Sequence, residues 1–200
     1  YGITGDNFAN GKSNYQCVEE MIKGGIKIVQ YRDKRKNSRE KVEEAKVIRE
    51  LCKKNNVLFI VNEDVAMAML VDADGGHVGQ EDMKPADVRK LIGENKIIGL
   101  STHSEEQGME AYNNEDVDYI GVGPIFPTTT KDTAPVGLEY LEFAVKNLYL
   151  PFIAIGGIKD YNIDEIINRG AKRICLVSDI VGADNICKKI IYLNNKILKK

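Results

Sequence analysis

The chain has 200 residues, of which 43% are hydrophobic and 29% charged, and a formal net charge of −2. That length suits one sizeable domain, 1–200; the charge balance offers no basic field for nucleic acid; and no apolar run reaches the ~20 residues of a membrane span. No signal peptide is visible, and Tyr1 is not expected to be the native start.

Apolar, β-rich runs are predicted at 1–4, 26–31, 57–61, 75–79, 96–100, 119–123, 152–155 and 173–177. Helical patterns lie between them. Ser13-x-x-Gln16 and Asn37-x-x-Glu40 have the form of capping boxes opening the first two. In the second, Val42, Ala45, Ile48 and Cys52 step at helical spacing. Pro85 suits the first turn of the fourth. Ser104-x-x-Gln107 and Asn162-x-x-Glu165 are expected to open later helices, and Asp184 to cap the last, with Ile186, Ile190 and Ile197 inward. The lysines of that last helix and tail suit a solvated face. Cys17, Cys52, Cys175 and Cys187 form no C-x-x-C pair and are expected to be reduced, mostly buried thiols of a cytoplasmic protein.

Eight strand–helix units at this spacing predict an α/β fold, a (β/α)8 TIM barrel; an open doubly wound sheet is the structural alternative. In such barrels the active site lies on the C-terminal strand ends and the loops after them. The second strand leaves through "VQYRDK". Gln30, Arg32 and Lys34 alternate, so an extended chain would point them one way, as a phosphate site needs. A surface charge run continued by "RKNSREK" is the plainer explanation. The third and fourth strands leave through "VNED" and "GQED". Carboxylates there could share a Mg²⁺, a hard ion that often bridges carboxylates to substrate phosphates. Alternatively, Asp64 caps the third helix and Glu81 or Asp82 opens the fourth. "GLSTHS" presents Ser101 and His103. His77, inside a strand, is expected to support other groups rather than act as a base. "GPIFPTTTK" brings Thr128, Thr129, Thr130 and Lys131 into one loop, suited to phosphate oxygens. Gly156-Gly157 and Val177-Ser178 follow the last two strands, where barrels commonly bind phosphate on backbone N–H groups.

"VQYRDK", "FIVNEDVAMA", "DADGGHVGQED", "GLSTHS", "DYIGVGPIFPTTTK", "AIGGI" and "LVSDI" resemble the thiamine-phosphate synthase (thiamine-phosphate pyrophosphorylase) family, nearly from end to end. The resemblance implies a Mg²⁺-dependent transferase with two phosphorylated small-molecule substrates. One is 4-amino-2-methyl-5-pyrimidinylmethyl diphosphate and the other 4-methyl-5-(2-phosphooxyethyl)thiazole. The products are thiamine phosphate and diphosphate, formed by a dissociative mechanism. Carried over by motif, Gln30, Arg32, Lys34, Asn62, Ser101 and Lys131 would hold the pyrimidine diphosphate. Arg32, Lys34, Lys131 and Ser101 would serve catalysis. Glu63 and Asp82 would bind the metal, and Thr128, Thr130, Gly157, Val177 and Ser178 the thiazole phosphate. The family usually has Asn-Asp where this chain has Asn62-Glu63, and a larger apolar residue at Gly76. Rival readings are a thiazole tautomerase-like relative, a different phosphate-binding barrel isomerase, and a non-catalytic sensor of thiamine precursors. Neither nucleic acid nor membrane is expected as a partner, and self-association into a homo-oligomer stays open.

Overall fold

Strands and helices alternate from the first residues onward in a computed structural model that describes residues 1–5, 8–130 and 133–198. The strands are β1 (Gly2–Ile3), β2 (Ile28–Tyr31), β3 (Leu58–Asn62), β4 (Gly75–Val78), β5 (Ile97–Thr102), β6 (Tyr119–Val122), β7 (Phe152–Ile155) and β8 (Ile174–Cys175). The helices are α1 (Asn14–Lys23), α2 (Ser38–Lys54), α3 (Val65–Leu70), α4 (Pro85–Ile92), α5 (Glu105–Tyr112), α6 (Gly137–Asn147), α7 (Ile163–Asn168), α8 (Val177–Val181) and α9 (Ile186–Leu198). The strands form one eight-stranded sheet in the order β1 to β8. Every pair whose register is described runs parallel, as Gln30 opposite Ile60 and Gly121 opposite Ile153 illustrate. This is the connectivity of the (β/α)8 fold.

Packing divides the chain into two compact units, Tyr1–Gly76 with Val177–Lys200, and His77–Leu176. In the first, Val29, Tyr31, Phe59, Ile60 and Val61 are buried along β2 and β3, the near-continuous apolar run of strands covered on both faces. Helix α1 packs against α2 and α9; α1 buries Cys17, Val18 and Met21, α2 buries Ala45 and Ile48, and α9 buries Ile186 and Ile190. In the second, Ile98, Ile120, Val122, Leu141, Ala144, Ile163 and Ile166 are fully buried.

Each unit repeats one polar device. Asp74, just before β4, accepts from the Phe59 N–H at 2.8 Å and from Arg49 of α2 through both oxygens at 2.8 and 3.0 Å. Asp118, just before β6, accepts from the Ile98 N–H at 2.7 Å and from Arg89 of α4 at 2.8 Å. Both carboxylates thus tie a strand start to a helix, and charge-assisted bonds are the stronger kind.

The Ser13 and Asn37 capping boxes form as expected, and Pro85 begins α4. Four local expectations are corrected. Ser104 caps α5, but the Gln107 side chain accepts from the His103 N–H instead of completing the box. Asn162 makes no side-chain cap; its Oδ1 accepts from the Lys159 N–H. The residue before α9 that receives a first-turn N–H is Asn185, from Lys188 at 2.8 Å, not Asp184. The last strand stops at Cys175, and Val177 and Ser178 open the short helix α8. No helix among the described residues is long and apolar enough to cross a membrane.

Candidate functional site

In the first unit, β2 ends at Tyr31, so the alternation expected through Lys34 stops early. Gln30 is 3% exposed and its amide donates to the Tyr1 hydroxyl at 3.0 Å. Buried Thr4 fixes the next residues: its hydroxyl donates to the Arg32 carbonyl and accepts from the Arg32 N–H, both at 2.8 Å. Asp33 then turns inward, 7% exposed. Its Oδ1 accepts from the Arg35 and Lys36 N–H groups at 2.9 Å, and its Oδ2 from Asn14 at 2.9 Å. The Lys36 ammonium lies 3.2 Å from Asp33 and 2.7 Å from Glu44, which also accepts from Tyr31 at 2.8 Å. Burial pushes the Asp33 carboxyl up, but the Lys36 and Arg35 N–H groups and the Lys36 ammonium outweigh it and hold the group below the ordinary range. Burial likewise opposes the charge of Lys36, and Glu44 and Asp33 overcome it to raise that pKa.

With Asp33 anchored, Arg32 and Lys34 line a cavity of about 290 Å³ together with Lys41, Asn62, Glu63 and Asp64. Gln30 is not among its lining residues. Asp64 is occupied as the cap of α3, accepting from the Met67 N–H at 2.8 Å. Glu63 is exposed and has φ +63°, the left-handed region. The other non-glycine residues with positive φ among those described are Asn10, Asn56 and Asp72, types that enter this region more readily.

In the second unit, His77 lies within β4 with its ring held at both ends, Nδ1 at 2.9 Å from the Tyr119 hydroxyl and Nε2 at 3.0 Å from Ser101 Oγ. Gly99 makes this pair possible, since a Cβ there would collide with the Tyr119 and His77 rings. The Gln80 amide donates to the Ser101 carbonyl at 2.7 Å, so both polar ends of Ser101 are fixed. Asp82 is exposed and accepts from the Gly79 N–H at 2.6 Å. Neither it nor Glu81 opens α4, whose first-turn position before Pro85 is Lys84. Gly76 has room for a Cβ at ordinary contact, 3.7 Å from the Val61 carbonyl. His103 donates from Nδ1 to the Gly123 carbonyl, a bond that assigns its proton to that nitrogen.

Beyond β6 and β7 the two exits continue as a ladder, Ile125 N–H to Ile155 carbonyl at 2.9 Å and Phe126 N–H to Gly156 carbonyl at 3.0 Å. Gly157, at φ +66°, lies so close that a Cβ would stand 2.5 Å from the Pro127 carbonyl. The Thr128 and Thr130 hydroxyls are 2.8 Å apart, and the Thr130 N–H donates to Thr128 at 3.2 Å. Lys131 lies outside the described residues. Val177 and Ser178 are half-buried at the start of α8, in the other unit. Among the described residues no group of three or more His, Cys, Asp or Glu side chains is gathered to hold a metal.

The family model described as thiamine monophosphate synthase (TMP-TENI) matches residues 1–180. The chain belongs to the thiamine monophosphate synthase family. The thiamine-phosphate synthase of Pelotomaculum thermopropionicum is 54% identical over 202 residues, spanning 100% of this chain and 92% of that protein. That of Caldicellulosiruptor bescii is 47% identical over 201 residues, spanning 100% and 91%. The solved structure of thiamine phosphate pyrophosphorylase from Pyrococcus furiosus matches with a TM-score of 0.89 at 34% identity, covering 100% of this chain and 95% of that one. This member of the thiamine monophosphate synthase family is therefore an enzyme of the transferase class. Sequence reasoning missed Thr4, Asp33, Gly99 and Lys41 in it. Only Lys41 left a signal, a cation on the inward stripe of α2 at 41, 45, 48 and 52.

Proposed function

We propose that the chain joins 4-amino-2-methyl-5-pyrimidinylmethyl diphosphate to 4-methyl-5-(2-phosphooxyethyl)thiazole, giving thiamine phosphate and inorganic diphosphate. Membership of the family supports the reaction, and the observation that carries it to residues is the cationic cavity of Arg32 and Lys34 beside Asn62 and Glu63. In this proposal the bond from the pyrimidinylmethyl carbon to diphosphate oxygen breaks first, and its electron pair leaves with the diphosphate. The thiazole nitrogen then supplies the pair for the new C–N bond, and the ring becomes the thiazolium of the product. No side-chain nucleophile is required. The task of the protein is to hold donors where negative charge grows, the largest single contribution in many enzymes.

Arg32 suits two oxygens of one phosphoryl group through its planar fork, and Lys34 acts as a point charge. Asn62 adds an amide, and Lys131, outside the described residues, is the remaining cation proposed for the diphosphate. Ser101 presents a hydroxyl whose direction His77 sets, while Gln30 acts from its buried position beside Tyr1. Thr128, Thr130 and Gly157 are proposed for the thiazole phosphate, together with Val177 and Ser178 of α8. The ladder that ties the threonine loop to the Gly156–Gly157 turn supports the first three.

Mg²⁺ is the proposed cofactor. The donor chemistry suits it, because Glu63 offers hard oxygen in the same cavity as the phosphate-binding cations, and Asp82 keeps one carboxylate oxygen clear of the Gly79 bond. When bound, such an ion would neutralise charge on the departing diphosphate. Diphosphate release, followed with each substrate alone and with both, tests the proposal. Release that requires both supports it. Consumption of a thiazole precursor alone favours the tautomerase-like reading, and tight binding without release favours a sensor.

A further inference from the structure

On α2 the buried residues are Ala45, Ile48 and Cys52. Stepping back four residues from Ala45 along the same face reaches Lys41, half-buried where the apolar stripe would continue. Lys41 lines the 290 Å³ cavity beside Arg32, Lys34, Asn62 and Glu63. Apart from Glu63, proposed above for the metal, the nearby acids are already engaged. Glu44 accepts from Lys36, Tyr31 and Asn14. Glu40 accepts from the Asn37 N–H at 3.1 Å to complete the capping box. Asp33 and Asp64 hold backbone N–H groups. Among the described residues neither Lys34 nor Lys41 has an ion-pair partner.

A half-buried lysine that lines a cavity and has no ion-pair partner among the described residues is a candidate to meet an anion there. Lys41 is the third cation lining this cavity, with Arg32 and Lys34. Resting on the diphosphate reading of this cavity, we infer that Lys41 is a further contact for the diphosphate group, making with Arg32 and Lys34 a three-cation cradle. Its place on α2 also gives it a rigid base, whereas Lys34 stands on the loop after β2. The alternative is a lysine whose stem merely covers apolar surface while its head stays in water.

Calorimetric titration of inorganic diphosphate into the full chain with Mg²⁺ present separates these. Lys41→Ala should weaken binding about tenfold, the scale of one hydrogen bond to a charged group. Lys41→Arg should restore most of it, and KM for the pyrimidine diphosphate should follow the same order. Arg32→Ala is the companion variant. If Arg32→Ala weakens binding and Lys41→Ala leaves it unchanged, the inference is overturned and the cavity assignment survives. If both bind like the native chain, the cavity assignment is itself wrong and Lys41 goes with it. A lowered melting temperature with unchanged affinity in Lys41→Ala would assign the lysine to packing alone, which also overturns the inference.

Discussion

Replacing Asp33 by Asn tests whether one buried carboxylate shapes the loop that carries Arg32 and Lys34. The amide oxygen can still accept the Arg35 and Lys36 N–H groups, both at 2.9 Å. Its NH2, however, would face two donors, Asn14 Nδ2 at 2.9 Å and Lys36 Nζ at 3.2 Å. Breaking a buried pair from one side costs roughly 3–5 kcal/mol. Here Lys36 is 34% exposed at its side chain and, like Asn14, keeps Glu44, so the expected loss is smaller. Counting one charge-assisted bond lost without replacement gives about 2 kcal/mol, or ~4–8 °C in melting temperature for a chain of this size. Urea unfolding and calorimetry measure it. The pH dependence supplies a second signature. Asp33 has a folded pKa below its ordinary 3.8, so its contribution is full above the unfolded pKa and is lost as pH falls through the folded one. Acid destabilisation should therefore be shallower in Asp33→Asn than in the native chain. KM for the diphosphate substrate should rise severalfold as the loop loosens. A variant within about 0.5 kcal/mol of native, with unchanged KM and acid limb, would refute the positioning role.

Glu63→Gly should separate stability from activity: removing a side chain from φ +63° should raise stability by up to ~1 kcal/mol while Mg²⁺-dependent turnover falls steeply. Retained Mg²⁺ dependence would remove Glu63 from the metal site. Gly157→Ala must push a Cβ against the Pro127 carbonyl at 2.5 Å and hold φ +66°, so it should destabilise by about 2 kcal/mol and raise KM for the thiazole phosphate; denaturant midpoints and kinetics report both. Burial pushes Cys52 and Cys175 up to about 12 and Cys17 up to about 11, so at pH 8 these thiols should resist alkylation in the folded chain. Half-buried Cys187 should label first, as mass spectrometry of the modified peptides would read.

The strand–helix alternation was legible because apolar runs and caps repeat with a period the eye can follow, and Ser13, Asn37 and Pro85 mark starts by mechanisms confined to a few residues. Arg32 and Lys34 were legible as cations at a strand exit. Their common direction with Gln30 was not, because it depends on where β2 stops, and Thr4, far away in sequence, fixes that end. Asp33 sits among cations and looks like part of a surface charge run; only the fold brings Asn14 to it. The contest between Asp184 and Asn185 turns on one residue of helix phase, which composition does not resolve. A helix cap was the alternative to a metal role for Asp64, and Asp64 does cap α3, since an Asx cap needs only its own helix. The strained backbone of Glu63 leaves no mark in its side chain type; an Asn, Asp or Gly there would have hinted at it.

The most direct measurement is product analysis. Incubate the full chain with both phosphorylated substrates, with Mg²⁺ and with excess chelator, and quantify thiamine phosphate and inorganic diphosphate. Equal amounts of the two products with Mg²⁺, and a collapse of both on chelation, is the predicted result. Thiamine phosphate formed at the same rate without the ion would contradict the metal assignment, and no thiamine phosphate under any condition would contradict the proposed reaction.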